Sequence, residues 1–357
     1  MNKKGRKQAV TIRCLLFGAA VLLLVLIVFG VVLAFSSCKK EDIGENAAPS
    51  EAITLAQTSA EAEDNNLNAS ETRKGSAAPF VVYPERTKET VEFSDEFDTQ
   101  NAILICCDDD TVIAGRKEKE KMYPASLTKV MTLIVAVENI NDLSQTVTIT
   151  EDMVDPMLEL DASMAGFQPG DVFALEDVLY GMVLNSGADA ALAAAHYVAG
   201  SEEAFVELMN RKAAEIGLKN THFTNVVGLH HEENYSTAED MALILEYAIQ
   251  DARCRQFLEK VEYTTVSTEA HPEGLTFTST LFSRMYGDEM PGVKICGGKT
   301  GYTDEAGNCI ETYAEINKKK YILVLCGGTT NWNNIYDTLS AFSIYCAGGK
   351  RYEPPQP

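Results

Sequence analysis

The chain has 357 residues, of which 46% are hydrophobic, and its formal net charge at pH 7 is −22. Length and apolar content allow one large domain or two ordinary ones with a sizeable core. The negative charge argues against a nucleic-acid partner, because phosphate binding draws most of its affinity from a basic protein surface. An anionic substrate would have to be held by a few local cations.

The N-terminal 35 residues predict a membrane anchor. Residues 1–13 form a segment rich in Lys and Arg, and residues 14–35 form an uncharged apolar run. Such a run can cross a hydrocarbon core of about 30 Å as a helix, and its basic flank should stay in the cytoplasm. We expect a single transmembrane anchor in the cell membrane, with all later residues extracytoplasmic.

Two alternatives to the anchor stay open. A cleaved signal peptide would release the domain as a secreted protein, although the apolar stretch of such signals usually has only about 7–15 residues. A lipoprotein signal would leave Cys38 lipidated, because Ser36-Ser37-Cys38 is similar to the end of such a signal, although Phe35 stands where leucine is preferred. All three alternatives place the folded domain outside the cytoplasm.

The composition changes twice after the apolar run. Residues 36–78 are rich in Ala, Ser, Asn, Glu and Asp and almost lack aromatic side chains. Such a stretch cannot bury enough apolar surface to offset its ordering entropy, so we predict a disordered linker. The folded domain is predicted over residues 79–350, followed by a polar tail at 351–357. Hydrophobic periodicity predicts strands near 102–107, 294–299, 309–314 and 321–326, and helices after Ser126, Leu175, Ser201 and Ser236.

A serine and a lysine near the start of the domain predict nucleophilic chemistry. Apolar residues recur at helical spacing over 130–137, so a buried helix should start near Ser126. Ser126 and Lys129 then share one helix face, and the amine can take the hydroxyl proton if burial and a second cation lower its pKa. A second such pair, Ser37 and Lys40, falls in the linker with no core around it.

A second motif, Lys299-Thr300-Gly301, predicts an anion-binding strand. Glycines precede and follow it, which indicates a strand whose backbone closely approaches another group. A cation, a hydroxyl and exposed backbone suit a substrate carboxylate. A Lys-Thr-Gly run arises by chance in only about one chain in ten of this length, whereas Ser-x-x-Lys arises about once in each.

Together the motifs resemble those of a known enzyme group. Three of them stand in the order and approximate spacing of the penicillin-recognising serine enzymes: Ser126-x-x-Lys129, Ser186-Gly187-Ala188-Asp189 and Lys299-Thr300-Gly301. More narrowly, the chain resembles the low-molecular-mass serine D-alanyl-D-alanine carboxypeptidases over about residues 79–345. The resemblance implies an α+β fold of the β-lactamase and DD-peptidase type. In this fold a mainly antiparallel sheet is flanked by helices, and the site lies between the sheet and a helical subdomain.

The resemblance also implies catalytic roles. Ser126 is the expected acylated nucleophile, Lys129 its general base, and Ser186 the residue that relays a proton to the departing amine. The implied reaction removes the terminal D-alanine of peptidoglycan stem pentapeptides through an acyl-enzyme. β-Lactam antibiotics are the expected covalent inhibitors, and neither a cofactor nor a metal is expected.

The remaining motif residues are implied to bind the substrate. Lys299 is expected to steer the substrate carboxylate and to keep the catalytic lysine neutral, while Thr300 hydrogen-bonds that carboxylate. Gly301 and Tyr302 complete the substrate-binding strand. The backbone N–H groups of Ser126 and Tyr302 are expected to form the oxyanion hole.

Two departures from the family pattern bear on substrate binding. The central motif usually ends in asparagine, where this chain has Ala188, and many relatives have an arginine after the last core strand, where residues 329–334 have none. These departures motivate an alternative, a weak or inactive muropeptide-binding protein of the same fold. A class A β-lactamase is disfavoured, because no Glu-x-x-Leu-Asn motif follows Ser186.

Other polar clusters and the cysteines predict structure rather than chemistry. Residues 230–233 (His-His-Glu-Glu) lack metal-ligand spacing and predict a solvated loop, and Ser236 with Glu239 predicts a helix capping box. The cysteines show no disulfide or zinc pattern and should be small buried hydrophobes. A bridge between Cys309 and Cys326 stays open in an extracytoplasmic compartment.

Overall fold

A computed structural model of the protein describes residues 81–285 and 290–354. All of these residues belong to the unit that spans Gly75–Pro357. The predicted anchor at 14–35 and the predicted linker at 36–78 lie outside the described residues. In the two described ranges, no helix combines the length and the apolar character needed to cross a membrane.

The main sheet is mixed and mostly antiparallel. The strands of the described residues are β1 (Glu85–Glu92), β2 (Asn101–Cys106), β3 (Thr111–Arg116), β4 (Thr146–Thr148), β5 (Val172–Ala174), β6 (Glu262–Thr264), β7 (Thr276–Thr278), β8 (Lys294–Thr303), β9 (Gly307–Ile316) and β10 (Lys319–Gly328). Six of them form one sheet in the order β1-β3-β2-β10-β9-β8. Only the β1–β3 pair of this sheet is parallel.

Helices pack on both faces of this sheet. The α-helices of the described residues are α1 (Thr128–Asn139), α2 (Glu151–Glu159), α3 (Leu175–Leu184), α4 (Ala188–Ala199), α5 (Glu202–Ile216), α6 (Ala238–Gln250), α7 (Ala252–Leu258), α8 (Phe282–Met285) and α9 (Asn331–Ala341). A short 3₁₀ turn, Ala125–Leu127, leads into α1. The four strands and four helices predicted from periodicity are confirmed within a few residues.

Two hydrophobic cores lie on opposite faces of the sheet. Strand β2 is buried along its whole length, with Ile103 and Ile105 in the larger core and Ala102 and Leu104 in the smaller one. A strand covered on both faces has no polar alternation, which explains its continuous apolar sequence. The larger core also contains α1, which is buried on every side from residue 128 to residue 137. This helix therefore carries Lys129 into the protein interior.

Two predictions about local structure are settled by the contacts. The capping prediction is wrong by one residue: the N-cap of α6 is Thr237, whose Oγ1 accepts the N–H of Asp240 at 3.0 Å. The hydroxyl of Ser236 instead lies 2.8 Å from that of Thr221. Every cysteine in the described ranges is a free thiol, so the Cys309–Cys326 bridge does not form.

The end of the described chain packs on α9. Arg351 donates a hydrogen bond to Asp337, and the ring of Tyr352 stacks on Tyr336 with 5.6 Å between centroids. Two residues that the sequence assigned to the tail therefore contact the folded domain.

Candidate active site

The predicted nucleophile lies in the 3₁₀ turn that precedes α1. Ser126 is half-buried in this turn, and Lys129 is 2% exposed in the first turn of the helix. Lys129 Nζ lies 3.0 Å from Ser126 Oγ and donates a 2.7 Å hydrogen bond to the carbonyl oxygen of Val227. The three-residue spacing thus brings the amine within hydrogen-bond distance of the hydroxyl, as predicted.

The environment of Lys129 favours its neutral form. Burial lowers the pKa of Lys129 well below its ordinary value, and the positive charge of Lys299 lowers it further. The carboxylate of Asp189 acts in the opposite direction. A neutral amine in contact with a serine hydroxyl can accept its proton, which an ammonium group cannot do.

A second serine–lysine pair faces the first. Ser186 lies in the turn between α3 and α4, and its φ of 59° is sparsely populated by residues with a side chain. Lys299 Nζ, on strand β8, lies 3.0 Å from Ser186 Oγ and 2.8 Å from the carbonyl oxygen of Thr300. Burial lowers the pKa of Lys299 to about 7, although Glu311 raises it.

Strand β8 runs directly beside the nucleophile. A Cβ atom at Gly301 would lie 2.8 Å from the backbone nitrogen of Ser126, so only glycine allows this approach. The hydroxyl of Thr300 donates a 2.7 Å hydrogen bond to that of Thr280. Tyr302 is 59% exposed, and its hydroxyl donates to Asp304.

The segment after residue 224 supports the turn from the other side. The Asn225 side-chain oxygen accepts hydrogen bonds from the backbone N–H groups of three following residues, Val227, Gly228 and Leu229. Gly228 has a φ of +85°, and a Cβ atom there would lie 1.9 Å from the carbonyl oxygen of Ala125. Glycine is therefore required both for the backbone conformation and for close packing.

These elements line one groove of about 880 Å³. The lining includes six of the seven predicted site residues: Ser126, Lys129, Ser186, Thr300, Gly301 and Tyr302. The seventh, Lys299, is 1% exposed and lies behind the groove, where its amine contacts the hydroxyl of the groove-lining Ser186. The structure thus brings all seven residues together.

The sequence profile of the D-alanyl-D-alanine carboxypeptidase family, peptidase S11, matches residues 87–330. The chain belongs to this family. It is similar to D-alanyl-D-alanine carboxypeptidase DacF of Bacillus subtilis, at 34% identity over 71% of this chain and 63% of the relative. It is also similar to DacC of Escherichia coli, at 33% identity over 72% of this chain and 64% of the relative. The chain therefore matches less than two thirds of either relative's length.

A solved structure confirms the predicted fold of this carboxypeptidase family member. The chain is similar to the Streptomyces K15 DD-transpeptidase, with a TM-score of 0.63 and 26% identity. The match covers 68% of this chain and 94% of that one. The α+β architecture predicted from the motifs is therefore the DD-peptidase architecture.

The family's asparagine position is occupied by a buried alanine. Ala188 is 1% exposed, lines the groove, and donates its backbone N–H to the carbonyl oxygen of Ser163 at 2.7 Å. Its neighbour Asp189 is fully buried, and its carboxylate accepts backbone N–H groups from residues 165–167 and from Ala190. Asp189 therefore fixes the segment that forms one wall of the groove. The motif spacing alone gives no sign of this role.

An arginine that the sequence analysis missed lies in the groove. Arg284, on α8, is half-buried, lines the groove, and donates a 2.6 Å hydrogen bond to the carbonyl oxygen of Thr280. Burial lowers its pKa, and no carboxylate of the described residues acts against this effect. The guanidinium therefore shares the groove with Thr300 and has no counter-anion among residues 81–285 and 290–354. Its charge also lowers the pKa of Lys299.

The histidine loop lies at the rim of the groove. Residues 230–233 are exposed, as predicted, and the ring of His230 meets that of Tyr123 edge-on, with 4.6 Å between centroids. Within the part of the chain that the structure describes, no cluster of three or more His, Cys, Asp or Glu side chains could hold a metal ion.

Proposed function

We propose that this chain is a serine D-alanyl-D-alanine carboxypeptidase. Its substrate is the peptidoglycan stem pentapeptide, from which it removes the terminal D-alanine through an acyl-enzyme. The observation that carries the proposal is the 3.0 Å contact between Ser126 Oγ and the buried amine of Lys129. Family membership and the second pair, Ser186 with Lys299, support it.

Acylation begins with proton transfer inside the first pair. Lys129 takes the proton of the Ser126 hydroxyl as the oxygen attacks the carbonyl carbon of the penultimate D-alanine. The negative charge that develops on the carbonyl oxygen is stabilised by the backbone N–H groups of Ser126 and Tyr302. Because β8 runs close to the turn at Gly301, these two donors can face one oxygen.

The second pair serves the leaving group. Collapse of the tetrahedral intermediate breaks the peptide bond, and Ser186 relays the proton that Lys129 took from Ser126 to the departing amine of D-alanine, so that Lys129 is neutral and Ser186 a hydroxyl again. The Lys299 ammonium next to Ser186 Oγ supplies the charge that favours this transfer. Water then attacks the acyl-enzyme, which releases the shortened peptide and restores the Ser126 hydroxyl.

Three groups hold the substrate carboxylate. The Thr300 hydroxyl faces the groove, Lys299 lies behind it, and Arg284 adds a guanidinium that pairs with no carboxylate of the described residues. Guanidinium groups bind carboxylates through paired, charge-assisted hydrogen bonds. Arg284 thus takes the place of the arginine that residues 329–334 lack.

The location that we propose rests on the N-terminal sequence. We propose that residues 14–35 anchor the chain in the cell membrane and that the catalytic domain faces the cell wall. Protease added to intact cells should then degrade the domain while residues 1–13 stay protected. Protection of the domain would contradict this topology, and a new N-terminus at diacylglyceryl-modified Cys38 would select the lipoprotein alternative.

The activity is tested by D-alanine release. The full-length chain in detergent is incubated with a peptide that ends in D-alanyl-D-alanine, and free D-alanine is measured beside a Ser126→Ala control. We expect release by the wild type and none above background by the variant. Muropeptide binding without release by the wild type would replace the enzyme with the binding-protein alternative.

A further inference from the structure

A buried acid, Glu311, lies beside the site without a hydrogen-bond partner among the described residues. Glu311 lies on β9 directly opposite Lys299 on β8, and the two residues are 0% and 1% exposed. Neither carboxyl oxygen of Glu311 has a hydrogen-bond partner among the described residues. Buried polar groups are almost always hydrogen-bonded, so an exception of this kind calls for a functional reason.

The fold alone does not require an acid at this position. Burying a carboxyl group without hydrogen bonds costs stability, and an apolar side chain of similar size would avoid that cost. The flanking residues of the strand, Ile310 and Thr312, are as deeply buried as Glu311. Glu311 therefore lowers the stability of the fold at a position where the strand could carry an uncharged residue.

The strand register places Glu311 opposite Lys299. Directly opposed residues of an antiparallel pair project to the same face of the sheet, so both side chains lie on the face that carries the groove. A Cβ atom at Gly298 would lie 2.1 Å from the carbonyl oxygen of Glu311, so β8 crosses β9 more closely than any side chain would allow. This close approach fixes the register of the lysine and the acid.

The other contacts of Lys299 are uncharged. Its amine contacts the hydroxyl of Ser186 and the carbonyl oxygen of Thr300, and neither group carries a charge. A fully buried ammonium needs an anion nearby, because desolvation otherwise drives it to the neutral form. Glu311 is the carboxylate that acts on Lys299 among the described residues.

Few other titratable groups act on this pair. Burial raises the pKa of Glu311 well above its ordinary value, the positive charge of Lys299 lowers it, and Cys309, on the same strand, raises it further. Arg284 disfavours protonation of Lys299. Cys326, on β10, is itself affected by the charge of Glu311. Within the described ranges, no titratable group on the helices packed against β9 acts on either member.

We propose that Glu311 is a positioning residue for the proposed reaction, the buried counterion that keeps Lys299 an ammonium behind the substrate groove. The inference rests on the proposed function. With Glu311 ionised, Lys299 stays charged to higher pH and continues to hold Lys129 in its neutral, proton-accepting form. Without Glu311, Lys299 loses its proton at lower pH, and both the leaving-group step and carboxylate binding weaken.

The expected size of the effect follows from the usual influence of a neighbouring charge on a pKa. An opposite charge within about 4–6 Å changes a pKa by about one to three pH units, so we expect the carboxylate to change the pKa of Lys299 by about two pH units. The Glu311→Gln variant keeps the shape of the side chain and removes the charge. Its basic limb in the plot of log kcat/KM against pH should therefore lie about two pH units below that of the wild type.

Three variants separate this role from a structural one. Glu315→Gln, on the same strand but exposed and paired with Lys294, is the matched control and should leave the profile unchanged. Glu311→Asp restores a carboxylate and should return the basic limb toward the wild-type position. The melting temperature of Glu311→Gln should fall, because the variant leaves the buried Lys299 ammonium without a counterion, so the position of the basic limb decides between the two roles. A lower melting temperature with an unmoved basic limb would assign Glu311 a structural role and overturn the proposal.

The rate of acylation by penicillin is measured over the same pH range. This step needs the Ser126 nucleophile but no peptide turnover, so the basic limb can be compared even if the wild type releases no D-alanine. A shifted acylation profile without D-alanine release would support the role of Glu311 while refuting the carboxypeptidase function. Identical acylation profiles for Glu311→Gln and the wild type would overturn the proposed role of Glu311 and leave the proposed carboxypeptidase function unaffected.

Discussion

Arg284 offers the sharpest test of substrate binding. Replacing it with methionine keeps much of the packing volume and removes the guanidinium. Hydrogen bonds to charged groups contribute about 1.5–3 kcal/mol net, so kcat/KM for a peptide ending in D-alanyl-D-alanine should fall roughly 10- to 150-fold. The guanidinium is half-buried and water screens it partly, which favours the lower part of this range.

The assay compares two peptides that differ at one group. One ends in a free carboxylate, and the other ends in the corresponding amide. Arg284→Met should lose activity on the acid and keep its activity on the amide, and Arg284→Lys should fall between the variant and the wild type because lysine lacks the paired donors. Arg253→Met is the matched control, since Arg253 pairs with Asp251 and does not line the groove. An equal loss on both peptides, or no loss on either, would refute carboxylate binding by Arg284.

Three further predictions concern the groove and its buried charges. Ala188→Asn should raise kcat/KM roughly 5- to 150-fold by restoring an amide worth about 1–3 kcal/mol, and a variant with unchanged melting temperature and no gain would contradict this. Asp189→Asn should lower the free energy of unfolding, measured in urea, by about 3 kcal/mol, because an amide replaces the carboxylate that accepts four backbone N–H groups. The control, Asp155→Asn at an exposed position, should change this free energy by less than about 0.5 kcal/mol. The folded-state pKa of Lys129 is lowered, so between that pKa and pH 10.5 the unfolded chain binds more protons, and the lysine costs stability throughout the range below pH 10.5. Lys129→Met should thus abolish D-alanine release and raise the melting temperature at pH 7, and a lower melting temperature would show that burial of the lysine is not destabilising.

The first serine–lysine pair could be predicted because its geometry is local. Three residues separate Ser126 from Lys129, and helical periodicity alone places them on one face. The contact between Ser186 and Lys299 joins positions 113 residues apart. Motif order implied that these two residues share a site, but only the packing of α3 and α4 against β8 brings their atoms to 3.0 Å.

The residues missed by the sequence analysis lack a local signal. Arg284 follows Leu281-Phe282-Ser283 in a helix of four residues, and nothing in that stretch distinguishes it from a surface arginine. Glu311 did have a signal, since it is a charged residue inside the buried stretch Cys309–Ala314 of its strand, but its partner is set by the β8–β9 register. Strand β1 was missed because its residues are mostly exposed at the sheet edge and show no apolar alternation.

The central claim is that Ser126 is the acylated nucleophile. The most direct test is to incubate the full-length chain with penicillin, digest it, and locate the covalent adduct by mass spectrometry. We expect one adduct, on Ser126, which is lost in Ser126→Ala and strongly reduced in Lys129→Met. An adduct on another residue, or undiminished labelling of Ser126→Ala, would contradict it.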